Sequence, residues 1–186
     1  MRANANTFYY DGDMTQDECP DAARLDCVGV KPNGLKYLLR DYARPFLGLI
    51  RAGERIDSLL DADLRRRYGI GLRAFEILLF LSAYSEEGSD HMANLAKRTP
   101  LSQSRISRLV ADLEVRGLVS RSTSSGDARA VTVAVTDEGV ELFKRAQETH
   151  LNQLNDLIFS RLTRRELVML AKITDKLLDD HQMMSD

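Results

Sequence analysis

The 186-residue chain carries only two cysteines, Cys19 and Cys27. They form no CxxC pair, and His91, His150 and His181 are scattered, so no structural zinc site is expected. Also missing is any run of about 18 apolar residues, the length a membrane-crossing helix needs. The amino terminus, MRANANTFYYDGDM, lacks the apolar core of a secretory signal, and a cytoplasmic location is expected. There is no nucleophile elbow, P-loop, HExxH or paired catalytic set, so the chain does not read as an enzyme and implies no cofactor. What remains is a globular composition, 44% hydrophobic and 29% charged, with no low-complexity tract. That length suits one domain with a real core, or one domain plus an arm.

The net charge of -2 gives no global sign of nucleic-acid binding, but its distribution does. Residues 91–130 carry a local +4, from Lys97, Arg98, Arg105, Arg108, Arg116, Arg121 and Arg129 against three acids. Residues 1–34 carry a local -3. With Pro20, Pro32 and little periodicity, that stretch reads as a mobile or loosely docked arm.

From Leu35 the pattern becomes helical. Leu38, Tyr42, Phe46, Leu49, Ile56 and Leu60 keep one face apolar, and Pro45 should kink one long helix or open a second. Gly69 and Gly71 end that segment. A second, mostly buried helix follows through LLFL, and SEEGSD breaks the chain. Two short helices come next, with Asp90 as a cap for the first and Ser102 for the second. In the second, Ile106, Leu109, Val110 and Leu113 form one buried stripe, while Gln103, Ser104, Arg105, Ser107 and Arg108 fall on the other side. Gly117 stands where a helix-ending glycine belongs. LVSRSTS and AVTVAVT read as strands, the second alternating with period two, and SGDAR joins them as a hairpin. Thr136 can cap the helix that follows, and Thr163-Arg164-Arg165-Glu166 is a capping box for the last one. Those terminal helices bear apolar stripes that a small reading head does not need, and an identical subunit is the commonest partner for such stripes.

A helix-turn-helix followed by a basic hairpin suits a nucleic-acid reader: the helix enters a major groove and the hairpin tip reaches a minor groove. The order of elements resembles the MarR family of bacterial winged-helix regulators over about residues 35–182. The most specific likeness is Asp127-x-Arg129 followed by VTDEG at Val135–Gly139, similar to the family's D-x-R wing and L-T-x-x-G helix start. LSQSRISRLVADLEVRGLVSR resembles its recognition helix and first wing strand. The resemblance implies a mainly α fold, a winged helix-turn-helix with a helical dimerisation domain built from the terminal helices. DNA reading would lie at about 70–136, and the dimer helices at about 35–66 and 140–182. It further implies an obligate homodimer on a palindromic double-stranded operator, a repressor released by a small aromatic or anionic effector.

The candidate DNA-binding residues are Lys97, Ser102, Gln103, Ser104, Arg105, Ser107, Arg108, Arg121, Asp127 and Arg129, with Arg73 at the start of the second helix. Small side chains such as Ser104 let the helix approach base edges, and Arg105 and Arg108 can reach a guanine edge or a phosphate. Arg129 suits a narrow minor groove, with Asp127 orienting its guanidinium. Tyr37, Arg40, Tyr42, Arg44, Arg51 and Tyr84 are candidates to line an effector pocket. The missing tryptophan counts against urate, which family members resembling this chain in length bind beside a Trp. A redox-sensing regulator using Cys19 or Cys27 is the alternative, although Lys36 stands where the family's hydroperoxide sensors keep their cysteine. A helical interaction protein that binds no DNA is the other.

Overall fold

Two short strands, Val28–Val30 (β1) and Lys36–Leu38 (β2), pair antiparallel where the sequence suggested an arm running into a helix. The turn explains the difference. The Gly34 amide donates to the Lys31 carbonyl at 2.8 Å, the Leu35 amide to Asn33 Oδ1 at 3.2 Å, and Gly34 has φ 82°. Asn-Gly tolerates this left-handed turn and closes a hairpin, so Leu38 belongs to a strand and not to the helical stripe. Tyr37 lies over Gly29, its cross-strand partner.

The structure, a computed structural model, describes residues 27–85, 87–99, 101–124 and 127–178, leaving out the side chains of 124 and 127–130. Most of the expected arm, Cys19 included, lies outside the described residues. The chain divides into two compact units, Met1–Arg51 and Ala52–Asp186. The first holds the hairpin and the opening turns of α1 (Arg40–Tyr68), with Tyr42, Phe46, Leu47, Leu49 and Ile50 exposed. Pro45 sits inside this helix and does not open a second one.

The second unit is a winged helix-turn-helix. After α1 come α2 (Leu72–Leu79), a π-helical turn (Phe80–Tyr84), β3 (Ser89–His91), α3 (Met92–Lys97) and α4 (Gln103–Val115). Then follow β4 (Val119–Ser124), β5 (Asp127–Val135), α5 (Asp137–Leu157), a 3-10 turn (Phe159–Arg161) and α6 (Arg164–Leu178). The core joins Leu64, Phe75, Leu78, Leu81, Leu95, Ile106, Val110, Val133 and Phe143, all buried. The stripe expected on α4 is there: Ile106, Val110 and Leu113 are buried and Leu109 packs at its edge.

The wing has a third strand. Its sheet runs β3-β5-β4, all antiparallel, with Asp90 opposite Val133. Ser89–His91 is polar and three residues long, so no alternation betrayed it. This strand displaces Asp90 from the expected cap position of α3, which His91 takes; the Asp90 carboxylate accepts instead from the His91 amide at 2.7 Å and Asn94 Nδ2 at 2.8 Å.

Other ends follow their chemistry. Gly117, with φ 71°, closes α4: its amide donates to the Glu114 carbonyl at 2.8 Å and the Leu118 amide to the Leu113 carbonyl at 2.9 Å. Thr136 Oγ1 accepts the Gly139 amide at 3.1 Å at the start of α5. Thr163 and Glu166 make the expected reciprocal box, with Glu166 Oε2 accepting the Thr163 amide at 2.7 Å. That bond, with the Thr163 hydroxyl, holds the Glu166 carboxyl below its usual range. Ser102 stands at the cap position of α4, but its hydroxyl makes no cap bond and lies 3.2 Å from that of Ser104.

Candidate nucleic-acid interface

With Ile106, Val110 and Leu113 turned into the core, α4 presents Gln103, Ser104, Arg105, Ser107 and Arg108 outward, all exposed. Among the described residues neither Arg105 nor Arg108 has an ion-pair partner, and no acidic side chain occupies the first turn of α4. The positive end of the helix dipole therefore faces outward uncompensated, beside two long cations and small hydroxyls. This surface can accept phosphate oxygens and base edges. Lys97 is exposed at the end of α3.

Four further candidates have different surroundings. Arg73 is held between α1 and α2: Nη1 lies 2.6 Å from Glu76 Oε1, and Nη2 bonds Asp57. Burial works against its charge, but hydrogen bonding and attraction to Glu76 and Asp57 outweigh that and raise its pKa further. Within the chain it ties α2 to α1. Arg121 pairs with Glu114, Nη2 to Oε2 at 2.5 Å, and its amide donates to Glu114 Oε1 at 3.1 Å. The Arg121 hydrogen bond holds the Glu114 carboxyl below its usual range. Glu114 thus ties α4 to β4, and Arg121 acts first as a brace for the wing. Asp127 and Arg129 lie on β5 next to the hairpin turn, with Asp127 opposite Ser124; their side chains, and the expected pair between them, are outside the described residues.

The effector candidates fall in both units. Tyr37, Arg40, Tyr42, Arg44 and Arg51 are exposed in the first unit, and Tyr84 is exposed at the end of the π-helical turn in the second. Cys27 is half-buried at the foot of the hairpin, where its carbonyl accepts the Leu39 amide at 2.8 Å. No helix among the described residues is long and apolar enough to cross a membrane.

Sequence reasoning overlooked Glu114, Arg116 and Tyr68 as positioning residues. Arg116 donates to the carbonyls of Gly69 at 2.8 Å and Tyr68 at 3.2 Å. A basic residue directly before a helix-ending glycine was the available signal.

Comparison with known proteins agrees with this geometry. The MarR family model matches residues 68–130, which run from the end of α1 through the wing tip. The HTH-type transcriptional regulator PapX of Escherichia coli is 30% identical over 132 residues, covering 69% of this chain and 77% of that protein. The HTH-type transcriptional repressor NicR of Pseudomonas putida is 30% identical over 102 residues, covering 55% and 64% respectively. A MarR family transcriptional regulator from Streptomyces coelicolor, solved in complex with DNA, superposes with a TM-score of 0.74 at 28% identity, covering 81% of this chain and 93% of that one. The sequence, the winged sheet and these relatives agree: the chain belongs to the MarR family of DNA-binding transcriptional regulators, which are not enzymes.

Proposed function

We propose that the protein is a homodimeric repressor that binds a palindromic operator and is released by a small aromatic or anionic effector. The observation that carries the reading is the exposed opening of α4, where Arg105 and Arg108 have no ion-pair partner among the described residues. One winged unit covers a few base pairs, and two related by a two-fold axis read half-sites one helical turn apart. In this reading residues 70–136 read DNA, 35–66 and 140–182 pair the subunits, and 1–34 form an arm. Exposed apolar side chains support the pairing: Val168, Met169, Leu170, Ile173, Leu177 and Leu178 on α6, and, within the first unit, Phe46 and Ile50 on α1. So much exposed apolar surface is costly in a monomer.

The DNA contacts of this proposal are Lys97, Ser102, Gln103, Ser104, Arg105, Ser107 and Arg108 in the major groove or on its phosphates, with Asp127 and Arg129 at the wing tip. The repressor role is supported by the likeness to NicR, a transcriptional repressor. The effector is proposed from the exposed tyrosines and arginines between Tyr37 and Arg51. Thiol sensing through Cys19 or Cys27 is not favoured.

Selecting bound duplexes from a random pool, with the mass of the complex measured alongside, tests the whole reading. A site with two-fold symmetry bound by two chains is the expected result. A wild-type monomer that ignores every duplex overturns it. Ile173→Asp with Leu177→Asp should give a monomer with greatly weakened operator binding.

A further inference from the structure

Arg116, the last residue before the glycine that ends α4, reaches back to the end of α1. Its Nη1 donates to the Gly69 carbonyl at 2.8 Å and its Nη2 to the Tyr68 carbonyl at 3.2 Å. Tyr68 in turn reaches α5: its hydroxyl donates to the Arg145 carbonyl at 2.8 Å and lies 2.6 Å from Thr149 Oγ1. With the Tyr68 proton spent on that carbonyl, Thr149 is the donor of the second bond. One continuous chain of polar contacts therefore runs from the recognition helix through the end of α1 to the middle of α5. All of it lies within the second compact unit.

The chemistry of this chain is more specific than a simple cap. The Tyr68 carbonyl is one of those a helix leaves unpaired at its end, and the negative pole of the α1 dipole lies there. A guanidinium satisfies both needs, and its planar fork bonds two successive carbonyls at once, which fixes direction as well as distance. Apolar packing of Ile106, Val110 and Leu113 holds α4 in place but constrains its rotation only weakly, since packed side chains are not directional. Arg116 and Glu114 grip the last turn of α4 from two sides, Arg116 toward α1 and Glu114 toward the wing.

We propose that Arg116 and Tyr68 form a clasp that sets the angle of α4 against α1 and α5, and so fixes the half-site spacing the regulator accepts. The clasp rests on the two-fold operator reading above, because an angle error in each reading head becomes a spacing error between two. Arg116 is a positioning residue: it stands at the end of α4 opposite the turn that would meet bases.

The test uses the full chain with Arg116→Met, Arg116→Lys and Tyr68→Phe. Each is titrated against the selected operator, against the same half-sites one base pair closer or farther apart, and against random duplex at one salt concentration. Arg116→Met should weaken operator binding on the order of 10-fold. Binding to random duplex should stay unchanged, and the preference for the natural spacing should disappear. Arg116→Lys should restore part of that preference through one carbonyl, and Tyr68→Phe, which keeps the ring packing, should reproduce the loss if Arg116→Met does not fold. Equal losses on operator and random duplex, or no loss on either, overturn the clasp.

A second readout separates this idea from the operator reading. Nitroxides are placed at Asp112→Cys on α4 and Glu148→Cys on α5, with Cys19 and Cys27 replaced by serine, and labelled chains are diluted into unlabelled ones. The distance distribution should broaden in Arg116→Met. If the wild type selects no spacing, the two-fold operator reading fails, and the distances alone judge the clasp: broadening upholds it, an unchanged width overturns it.

Discussion

Gly139, in the first turn of α5, lies so close to the backbone carbonyl of Leu118 that a Cβ would overlap the oxygen. The same carbonyl accepts the Thr136 amide at 3.1 Å, while the Thr136 hydroxyl donates to the Gly117 carbonyl at 2.6 Å and accepts the Gly139 amide. The spacing Thr136-x-x-Gly139 is thereby explained: the threonine starts α5, and the glycine lets α5 touch the segment that ends α4.

Gly139→Ala should therefore destabilise the protein, although alanine is the better helix former. Forcing a methyl into this contact costs about 1–3 kcal/mol, more than the ~1 kcal/mol that helix propensity returns. Urea unfolding of the two proteins measures the balance. A variant more stable than wild type would show that α5 can move aside freely.

Asp61 caps α2 from a distance. The residue at the cap position is Gly71, which has no side-chain oxygen, and Asp61 Oδ1 accepts the Leu72 amide at 2.8 Å while Arg65 Nε donates to Oδ2 at 2.6 Å. Partial burial works against the charge, but the bonds from Arg65 and Leu72 outweigh it and lower the pKa below 3.8. A lowered carboxylate pKa adds stability that is present above the unfolded value and is lost as pH falls through the folded one. Asp61→Asn should cost about 1 kcal/mol near neutral pH. The cost should shrink below 3.8, which denaturation at a series of pH values will show.

His150 sits on α5 with its ring centroid 4.6 Å from that of Phe75, and its buried Nδ1 has no hydrogen-bond partner among the described residues. Burial disfavours the charged ring and lowers its pKa below 6.5. Above that value both folded and unfolded chains carry it neutral. Below it the unfolded chain takes up a proton that the folded chain resists, so stability falls until the folded pKa is passed. His150→Leu should reduce this acid loss. The melting temperature of the variant minus that of wild type, compared from pH 7.5 downward, should rise as the pH drops below 6.5. Parallel curves would remove His150 from the acid response.

Arg105→Ala and Arg108→Ala should each weaken operator binding by about 1–3 kcal/mol if they read a base. If either holds a phosphate, the loss should instead be uniform across sequences, with the salt slope reduced by about one. Arg129→Ala should weaken operator binding without disturbing the subunit pairing. Unchanged affinity for all three would remove the α4–wing surface from the proposed function.

Much of the helix-turn-helix was legible because its signals are local. The stripe of Ile106, Val110 and Leu113, the stop at Gly117, the cap at Thr136 and the box at Thr163 depend on spacing of a few residues. The Asn33-Gly34 turn is equally local, but the apolar residues from Leu35 onward continue into the spacing of α1, which hides the short strand between turn and helix.

What the amino-acid order settled by itself is the order of the helices and of the two hairpin strands in the winged unit, the buried face of α4 and the basic character of its outer face. Periodicity, caps and charge are properties of neighbours along the chain. Which of those charges remain available was decided only in three dimensions. Arg73 meets Asp57, which is 16 residues away, Arg121 meets Glu114 on another element, and Arg116 reaches Gly69 across 47 residues. Ion pairs and hydrogen bonds act over a few ångströms of space and are indifferent to sequence distance, so arginines that look alike in the sequence are either held within the fold, as Arg73, Arg116 and Arg121 are, or left exposed, as Arg105 and Arg108 are, only once the chain has folded.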